Sequence, residues 1–175
     1  YQEYVNQPVP AYNAVTTSLT NSSTNNNQFF GDFNGDGRTD RALYDQSAGN
    51  LQVALSTGAG FQSPSVCYGI FASGVKFLSG NFDSDGVTDL CVFNPSSGNW
   101  DVLSSNGQNQ FVSKGTWTFG FGANQNPGTG DFNADGLLDI VTYYEQAGDW
   151  RVRVALNKGG RFEIWAARDF IIGVA

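Results

Sequence analysis

The stretch GDFNGDGRTD, residues 31–40, places three aspartates within nine residues of one another. Like charges at this spacing repel, so a folded loop of this kind needs a compensating cation. The same pattern of oxygen-bearing residues occurs again in GNFDSDGVTD, residues 80–89, and in GDFNADGLLD, residues 130–139. The three copies start 49 and 50 residues apart, and a fixed period in this range predicts a repeat architecture.

The acidity of the chain is concentrated in these three loops, which hold nine of its 16 acidic residues. The other seven acids face nine Lys and Arg, so the net charge of −7 comes from the loops. Three divalent cations would neutralise most of it. Because the chain has no basic block, we expect no nucleic-acid binding through phosphate contacts. Because it has no apolar run of about 18 residues, we expect no membrane insertion.

Each loop offers a set of hard oxygen ligands. Side-chain oxygens fall at loop positions one, three, five and nine, and position seven supplies a backbone carbonyl. The glycine after position five permits the tight turn that brings these oxygens together. The predicted ligands are Asp32, Asn34, Asp36, Arg38 and Asp40 in the first loop, Asn81, Asp83, Asp85, Val87 and Asp89 in the second, and Asp131, Asn133, Asp135, Leu137 and Asp139 in the third.

The chemistry of this donor set favours calcium. Ca²⁺ takes six to eight oxygen ligands from carboxylates, amides, carbonyls and water, whereas zinc prefers His or Cys and the chain contains no His. The sequence thus predicts three Ca²⁺ sites. The alternative is a turn rich in Asp, Asn and Gly that binds no metal, since these residues build turns by themselves.

The segment after each loop favours a β-strand rather than the helix of an EF-hand. The segments RALYD, LCVFN and IVTYY are short, apolar and rich in β-formers. An EF-hand needs Glu at loop position twelve, which here is Leu43, Val92 or Thr142. Each of these segments is followed by a turn with glycine, then by a strand of alternating apolar and polar residues, and then by a strand that begins with Phe. Together with a short segment ahead of each loop, this predicts four strands per repeat, which is the size of a β-propeller blade.

The four tryptophans divide into two pairs. Trp100 and Trp150 stand at matching positions of alternating strands, so we expect both in the core between blades. Trp117 and Trp165 have no matching positions, and either could be exposed. An exposed indole is a candidate for stacking on a sugar ring.

The repeated loop and strand pattern carries a family resemblance. The pattern GDFNGDG..D followed by G.W.V.L..G..F resembles the FG-GAP or VCBS repeats of integrin-α-like β-propellers over roughly residues 28–175. The resemblance implies an all-β fold in which the loop joins the innermost strand of a blade to its neighbour and binds calcium. It also implies a secreted or surface protein that binds other macromolecules. The family includes adhesion receptors, fungal lectins, non-catalytic parts of polysaccharide-degrading enzymes and parts of bacterial toxins.

The predicted organisation is an N-terminal extension with a polar linker, residues 1–27, followed by three repeats at about 28–74, 75–125 and 126–175. A closed propeller has at least about four blades. Three explanations are open: the chain is a piece of a larger propeller, the N-terminal segment contributes a fourth blade, or several chains complete a ring. The chain begins with Tyr1 and contains no Met, so we expect a processed product or a fragment.

The expected function is a calcium-stabilised extracellular binding or scaffold module for protein or glycan ligands, associated with adhesion or a toxin. The alternatives are a lectin-like carbohydrate-binding propeller, a self-assembling structural subunit, and a non-catalytic part of a polysaccharide-degrading enzyme. We expect no catalysis by the chain. Without His it cannot build a Ser-His-Asp or Cys-His arrangement, and the loop carboxylates recur in three equivalent places, whereas an active site is normally singular.

Overall fold

The computed structural model describes residues 27–69, 71–165 and 169–174. These residues form thirteen β-strands and no helix, so the predicted all-β class is confirmed. Of the N-terminal extension, residues 1–26 lie outside the described residues. The strands are β1 (Asn27–Gly31), β2 (Asp40–Asp45), β3 (Asn50–Ala54), β4 (Ser65–Gly69), β5 (Lys76–Gly80), β6 (Asp89–Asn94), β7 (Asn99–Ser105), β8 (Phe111–Thr118), β9 (Asn126–Gly130), β10 (Asp139–Gln146), β11 (Asp149–Asn157), β12 (Phe162–Ile164) and β13 (Phe170–Val174).

The strands form three separate antiparallel sheets in chain order. The first blade has the order β1-β2-β3-β4 and the second has the order β5-β6-β7-β8. In the third blade β9, β10 and β11 follow the same order, and β12 and β13 both pair with β11 at its outer edge. The three predicted blades are therefore present, and β1 lies beside β5, and β5 beside β9.

The turn between the second and third strands differs among the blades. In the first blade it has four residues, and the Asp45 carboxylate accepts hydrogen bonds from the N–H groups of Ser47 (2.9 Å) and Ala48 (3.1 Å). In the third blade the turn is only Ala147 and Gly148, with φ angles of 55° and 84°. Two consecutive positive φ angles are the signature of the type I′ turn of tight hairpins. The paired part of the β10–β11 hairpin is longer as a result.

This longer hairpin changes the place of Trp150. Trp100 pairs with Phe93 and is fully buried, at 0% exposure. Trp150 pairs with Glu145, nearer the turn, and is 36% exposed. In the third blade, Val152 occupies the β-ladder position that Trp100 occupies in the second blade. The expectation that both tryptophans lie in the core is therefore wrong for Trp150, because equal spacing along the chain does not give equal register when the turns differ.

The core lies between blades rather than within one sheet. One cluster joins residues of the first blade, such as Tyr44 and Leu51, to Leu90 and Val92 of the second. The next cluster joins the second blade, through Trp100, to the third. We call the side of a blade that faces the next one its trailing face, and the side that faces the previous one its leading face. The described residues contain no helix long and apolar enough to cross a membrane.

Candidate metal centre

The acidic loops lie where the sequence predicts them, between the first and second strands of each blade. In all three, the glycine at position six has a positive φ, which glycine adopts at little cost. These glycines are Gly37 (82°), Gly86 (88°) and Gly136 (86°). The chain therefore reverses direction at the same point in each loop. Among the described residues, only the second loop brings three of its carboxylates to within metal-binding distance of one another.

The second loop brings three carboxylates together. Asp83, Asp85 and Asp89 each place one oxygen within 4.8 Å of the others. Asp89 is fully buried, and this burial, helped by the charge of Asp83, raises its pKa to about 6. Clustered carboxylates with one buried member have the hard-oxygen chemistry that calcium requires. Asn81 lies at the start of the same loop, and its amide oxygen accepts the N–H of Ser84 (2.8 Å). The donor set of this loop thus fits the ion that the sequence predicts.

In the first loop, the backbone wraps around the side chain at position one. Asp32 accepts hydrogen bonds from the N–H groups of Gly35 (2.7 Å) and Asp36 (3.1 Å) on one oxygen and from that of Gly37 (2.7 Å) on the other. Asp131 receives the matching bonds in the third loop, from the N–H groups of the residues at positions five (3.2 Å) and six (3.0 Å). The position-one carboxylate organises the loop in both cases.

Positions three and five also contact each other in the first and third loops. Asn34 donates its amide to Asp36 (3.0 Å), and Asn133 donates to Asp135 (2.8 Å). The bond from Asn34, followed by the N–H of Arg38, lowers the pKa of Asp36. For Asp135 the N–H of the residue at position seven lowers the pKa most, followed by Asn133. Both carboxylates are thereby held in the ionised form that a cation binds.

Position seven has an additional role that the sequence does not indicate. The N–H groups of Arg38, Val87 and Leu137 donate to the position-five carboxylates at 2.8–2.9 Å. The Arg38 side chain also pairs with the Asp36 carboxylate and donates to the carbonyl of Ser56 (3.2 Å). Its guanidinium therefore already supplies a positive charge in the first loop. That the backbone carbonyls of position seven are metal ligands stays a prediction.

The burial of position nine is what sequence reasoning missed, since these aspartates were predicted only as metal ligands. Asp40, Asp89 and Asp139 are all 0% exposed. Asp40 accepts the N–H of Phe33 in its own loop (3.0 Å) and the N–H of Ser56, just beyond the third strand (2.7 Å). It therefore ties the loop to the far end of the β2–β3 hairpin. The available signal was strand alternation, since Asp40 stands at the same parity as the buried Ala42 and Tyr44.

We call the residue whose N–H the position-nine carboxylate holds, at or just beyond the end of the third strand, the cap. In the second and third blades the cap connects neighbouring blades. The hydroxyl of Ser105 donates to the carbonyl of Phe33 in the first blade (2.6 Å). The amide of Asn157 donates to the carbonyl of Phe82 in the second blade (2.8 Å). Each of these loops is thus held by its own blade through position nine and by the following blade through the cap.

The exposed aromatic residues lie mainly on the third blade. Trp117 is buried, whereas Trp165 is 48% exposed and its ring lies 5.8 Å from that of Phe170. Trp150 lies 6.3 Å from Tyr143, which is also exposed. Of the two tryptophans whose exposure the sequence leaves open, Trp165 is exposed and Trp117 is not, and Trp150 is exposed contrary to expectation.

Comparisons with known proteins agree with this architecture. Residues 81–142, which run from the start of the second loop to just beyond the third, match the model of the FG-GAP-like repeat. A solved structure of a lectin from Agrocybe aegerita that specifically recognises non-reducing terminal N-acetylglucosamine is similar in fold, with a TM-score of 0.65 and 20% identity. The match covers 85% of this chain and 38% of the lectin chain. No curated protein sequence matches significantly. Residues 81–142 thus carry an FG-GAP-like repeat, and the fold of the chain is similar to that of a β-propeller-like lectin.

Proposed function

We propose that the protein is a calcium-stabilised extracellular module that binds a protein or glycan ligand and has no catalytic activity of its own. The observation that carries the proposal is the approach of Asp83, Asp85 and Asp89 to within 4.8 Å of one another in the second loop. Three carboxylates so close oppose folding through mutual repulsion unless a cation offsets it. An extracellular or cell-surface setting fits, because calcium there is abundant enough for sites of modest affinity.

In the second loop the ion would be held by the side chains of Asn81, Asp83, Asp85 and Asp89 and by the carbonyl of Val87. It would supply positive charge at the junction of β5 and β6. The corresponding ligand sets of the first and third loops complete three sites. Since Asp89 also accepts the N–H of Ser105 (3.0 Å), the ion would be connected to the end of β7 as well as to the loop.

A glycan is the ligand class that a specific observation favours. Trp165 and Phe170 are exposed side by side on the third blade, and aromatic faces of this kind stack on sugar rings. The structurally similar lectin recognises a terminal sugar. A protein ligand, as in adhesion or toxin assembly, and a role as the non-catalytic part of a polysaccharide-degrading enzyme are the other proposals that fit a binding module.

Thermal unfolding with and without calcium tests the proposal. We expect calcium to raise the melting temperature well above that in a chelator, with magnesium giving a smaller rise because it dehydrates reluctantly. Calorimetric titration should give three bound ions per chain. Identical unfolding curves in calcium and in chelator would exclude calcium as a structural ion.

A matched pair of variants tests whether the rise in melting temperature caused by calcium comes from the acidic loops. Asp85→Asn and Asp45→Asn each remove one negative charge, but only Asp85 belongs to the carboxylate cluster. Asparagine suits position 45, because Asn94 occupies the matching turn of the second blade and accepts the N–H of Ser96 (3.0 Å). We expect Asp85→Asn to reduce the rise in melting temperature caused by calcium and Asp45→Asn to preserve it. Equal responses would mean that calcium acts through net charge alone.

A glycan array tests the ligand class. We expect the chain in calcium to retain one or more glycans and Trp165→Ala to lose that binding. Phe119→Ala is the matched control, because Phe119 is also an exposed aromatic residue, at 72%, but lies on the second blade's connection to the third. Loss of binding in both variants, or in neither, would exclude Trp165 as the stacking surface.

A further inference from the structure

The two junctions between blades are built from the same three contacts. The first contact involves loop position eight. Thr88 donates its N–H to the carbonyl of Asp32 (2.8 Å), and its hydroxyl accepts the N–H of Asp32 (3.1 Å). A Cβ on Gly31 would lie 2.8 Å from the Thr88 Cβ, so glycine leaves room for the next blade. At the second junction Gly80 faces the side chain of Leu138 in the same way, and this close approach is the part of the contact that both junctions share.

The second contact is the hydrogen bond that a cap, Ser105 or Asn157, donates to the carbonyl of the position-two phenylalanine of the preceding blade. The third contact is a pair of aromatic rings. Phe33 meets Phe111 at 5.6 Å, and Phe82 meets Phe162 at 6.2 Å, both edge to face. Phe111 and Phe162 pair with the two caps in the β-ladder. Position eight, cap and aromatic residue are thus one docking set on each leading face.

The trailing face of the third blade carries the two groups that a docking set contacts, namely the position-two phenylalanine and the glycine before the loop. No described residue of another blade covers them. Phe132 is 39% exposed, whereas Phe33 and Phe82 are 0% exposed. A Cβ on Gly130 would meet only the ring of Phe132. Tyr143 extends the open face, at 40% exposure. The position-two ring and the glycine are therefore placed as in the two junctions but lie open.

The leading face of the first blade carries the other half. Thr39 stands at loop position eight and is exposed. Ser56 is the cap, since its N–H is held by Asp40 (2.7 Å) as that of Ser105 is held by Asp89. Phe61 forms a β-bridge with Ser56 and is 50% exposed. The complete docking set is present in the same order as on the second and third blades.

We propose that these two open faces bind each other between two copies of the chain, head to tail. Ser56 of one copy donates to the carbonyl of Phe132 in the other, Phe61 packs against the Phe132 ring, and Thr39 lies over Gly130. A second copy is the favoured occupant because the contact continues the two junctions already present and needs no feature that the chain lacks. An arrangement of this kind is heterologous, since two different surfaces meet.

The junction between copies is weaker than the two junctions within the chain. Where the second blade presents Leu90 and the third presents Ile140, both fully buried, the first blade presents Arg41 at the same loop position. A charged residue at this place has a desolvation cost that an apolar residue lacks. Association is therefore reversible and depends on protein concentration.

Two variants that each block one face provide the test, with masses measured by light scattering in calcium. Phe132→Asp blocks the trailing face and Phe61→Asp blocks the leading face, and both side chains are exposed enough to be replaced without loss of the fold. We expect the unaltered chain to have a mass of two or more chains at high concentration. Each variant alone should be a monomer. An equimolar mixture should form a dimer of one chain of each kind, because one intact pair of faces remains.

Three results would overturn the proposal. One is an unaltered chain that stays monomeric at every concentration. Another is a single variant that still dimerises, which would mean that like faces meet. The third is a mixture of variants that does not associate. Circular dichroism of each variant, compared with that of the unaltered chain, checks that the blades remain folded.

Discussion

The second and third blades contain the same kinds of residue but are buried to different extents. Phe82 and Phe132 occupy the same loop position, yet Phe82 is 0% exposed and Phe132 is 39% exposed. In β6 five of six residues are buried, whereas in β10 only the first four of eight are. For the position-two rings the difference lies in the neighbour that covers the trailing face, whereas β10 also extends two residues further than β6 toward its turn. A blade thus gains its stability from its neighbours, as expected for stacked repeats.

The largest effect should come from the position-two phenylalanines. We expect Phe82→Ala to lower the free energy of unfolding by about 3–5 kcal/mol, because a fully buried ring leaves a cavity. Phe132→Ala should cost about 1 kcal/mol or less, since its ring is partly hydrated already. Urea unfolding at a concentration where the chain is monomeric measures both. Equal costs there would contradict the difference in burial.

An intermediate effect should come from the glycines that precede the loops. Gly31→Ala places a methyl group against the Cβ of Thr88, which should cost about 1–3 kcal/mol through overpacking. Gly130→Ala meets only the edge of the Phe132 ring, at 3.3 Å, and should be close to neutral. Both changes insert the same group at the same position of the repeat, and melting temperatures compare them. A larger cost at Gly130 would mean that the third blade is covered in solution.

The smallest effect should come from the caps. Ser105→Ala removes the donor to the buried Phe33 carbonyl and should lower the free energy of unfolding by about 1 kcal/mol. Ser56→Ala removes a hydroxyl whose hydrogen bond within the chain is long, at 3.3 Å to the N–H of Gly58. We expect no measurable loss from it in the monomer. Chemical denaturation measures the free energy of unfolding of both variants. A loss in Ser56→Ala without a loss in Ser105→Ala would be inconsistent with an open leading face.

Much of the fold could be predicted because its signals are local. The spacing of Asp, Asn and Gly predicts the loops, and the alternation after each loop predicts the strands. The three positive φ angles at position six follow from the same local pattern. The position-nine aspartates were predicted only as ligands, because a carboxylate that accepts two backbone N–H groups from distant segments leaves no trace in its immediate sequence.

The tryptophans mark the limit of arguments from spacing. Trp100 and Trp150 have the same distance from the start of their loops, but a two-residue turn at Ala147 and Gly148 shifts the register of the third hairpin. Arg38 is similar, since nothing in the sequence indicates that its side chain reaches the Ser56 carbonyl, 18 residues away. Register and long-range hydrogen bonds depend on how the chain closes on itself.

The sequence by itself determined the number of repeats, the β class, the position of the acidic loops and their suitability for a hard cation, because each depends on residues that are close in the chain. Only the tertiary structure decided which faces are covered, which carboxylates are buried and which aromatic residues reach solvent. These properties depend on the packing of one blade against the next, whose contacts join residues far apart in sequence, such as Ser79 with Phe30 and Asn157 with Phe82. Burial is a property of neighbours in space, which a repeat pattern alone does not supply.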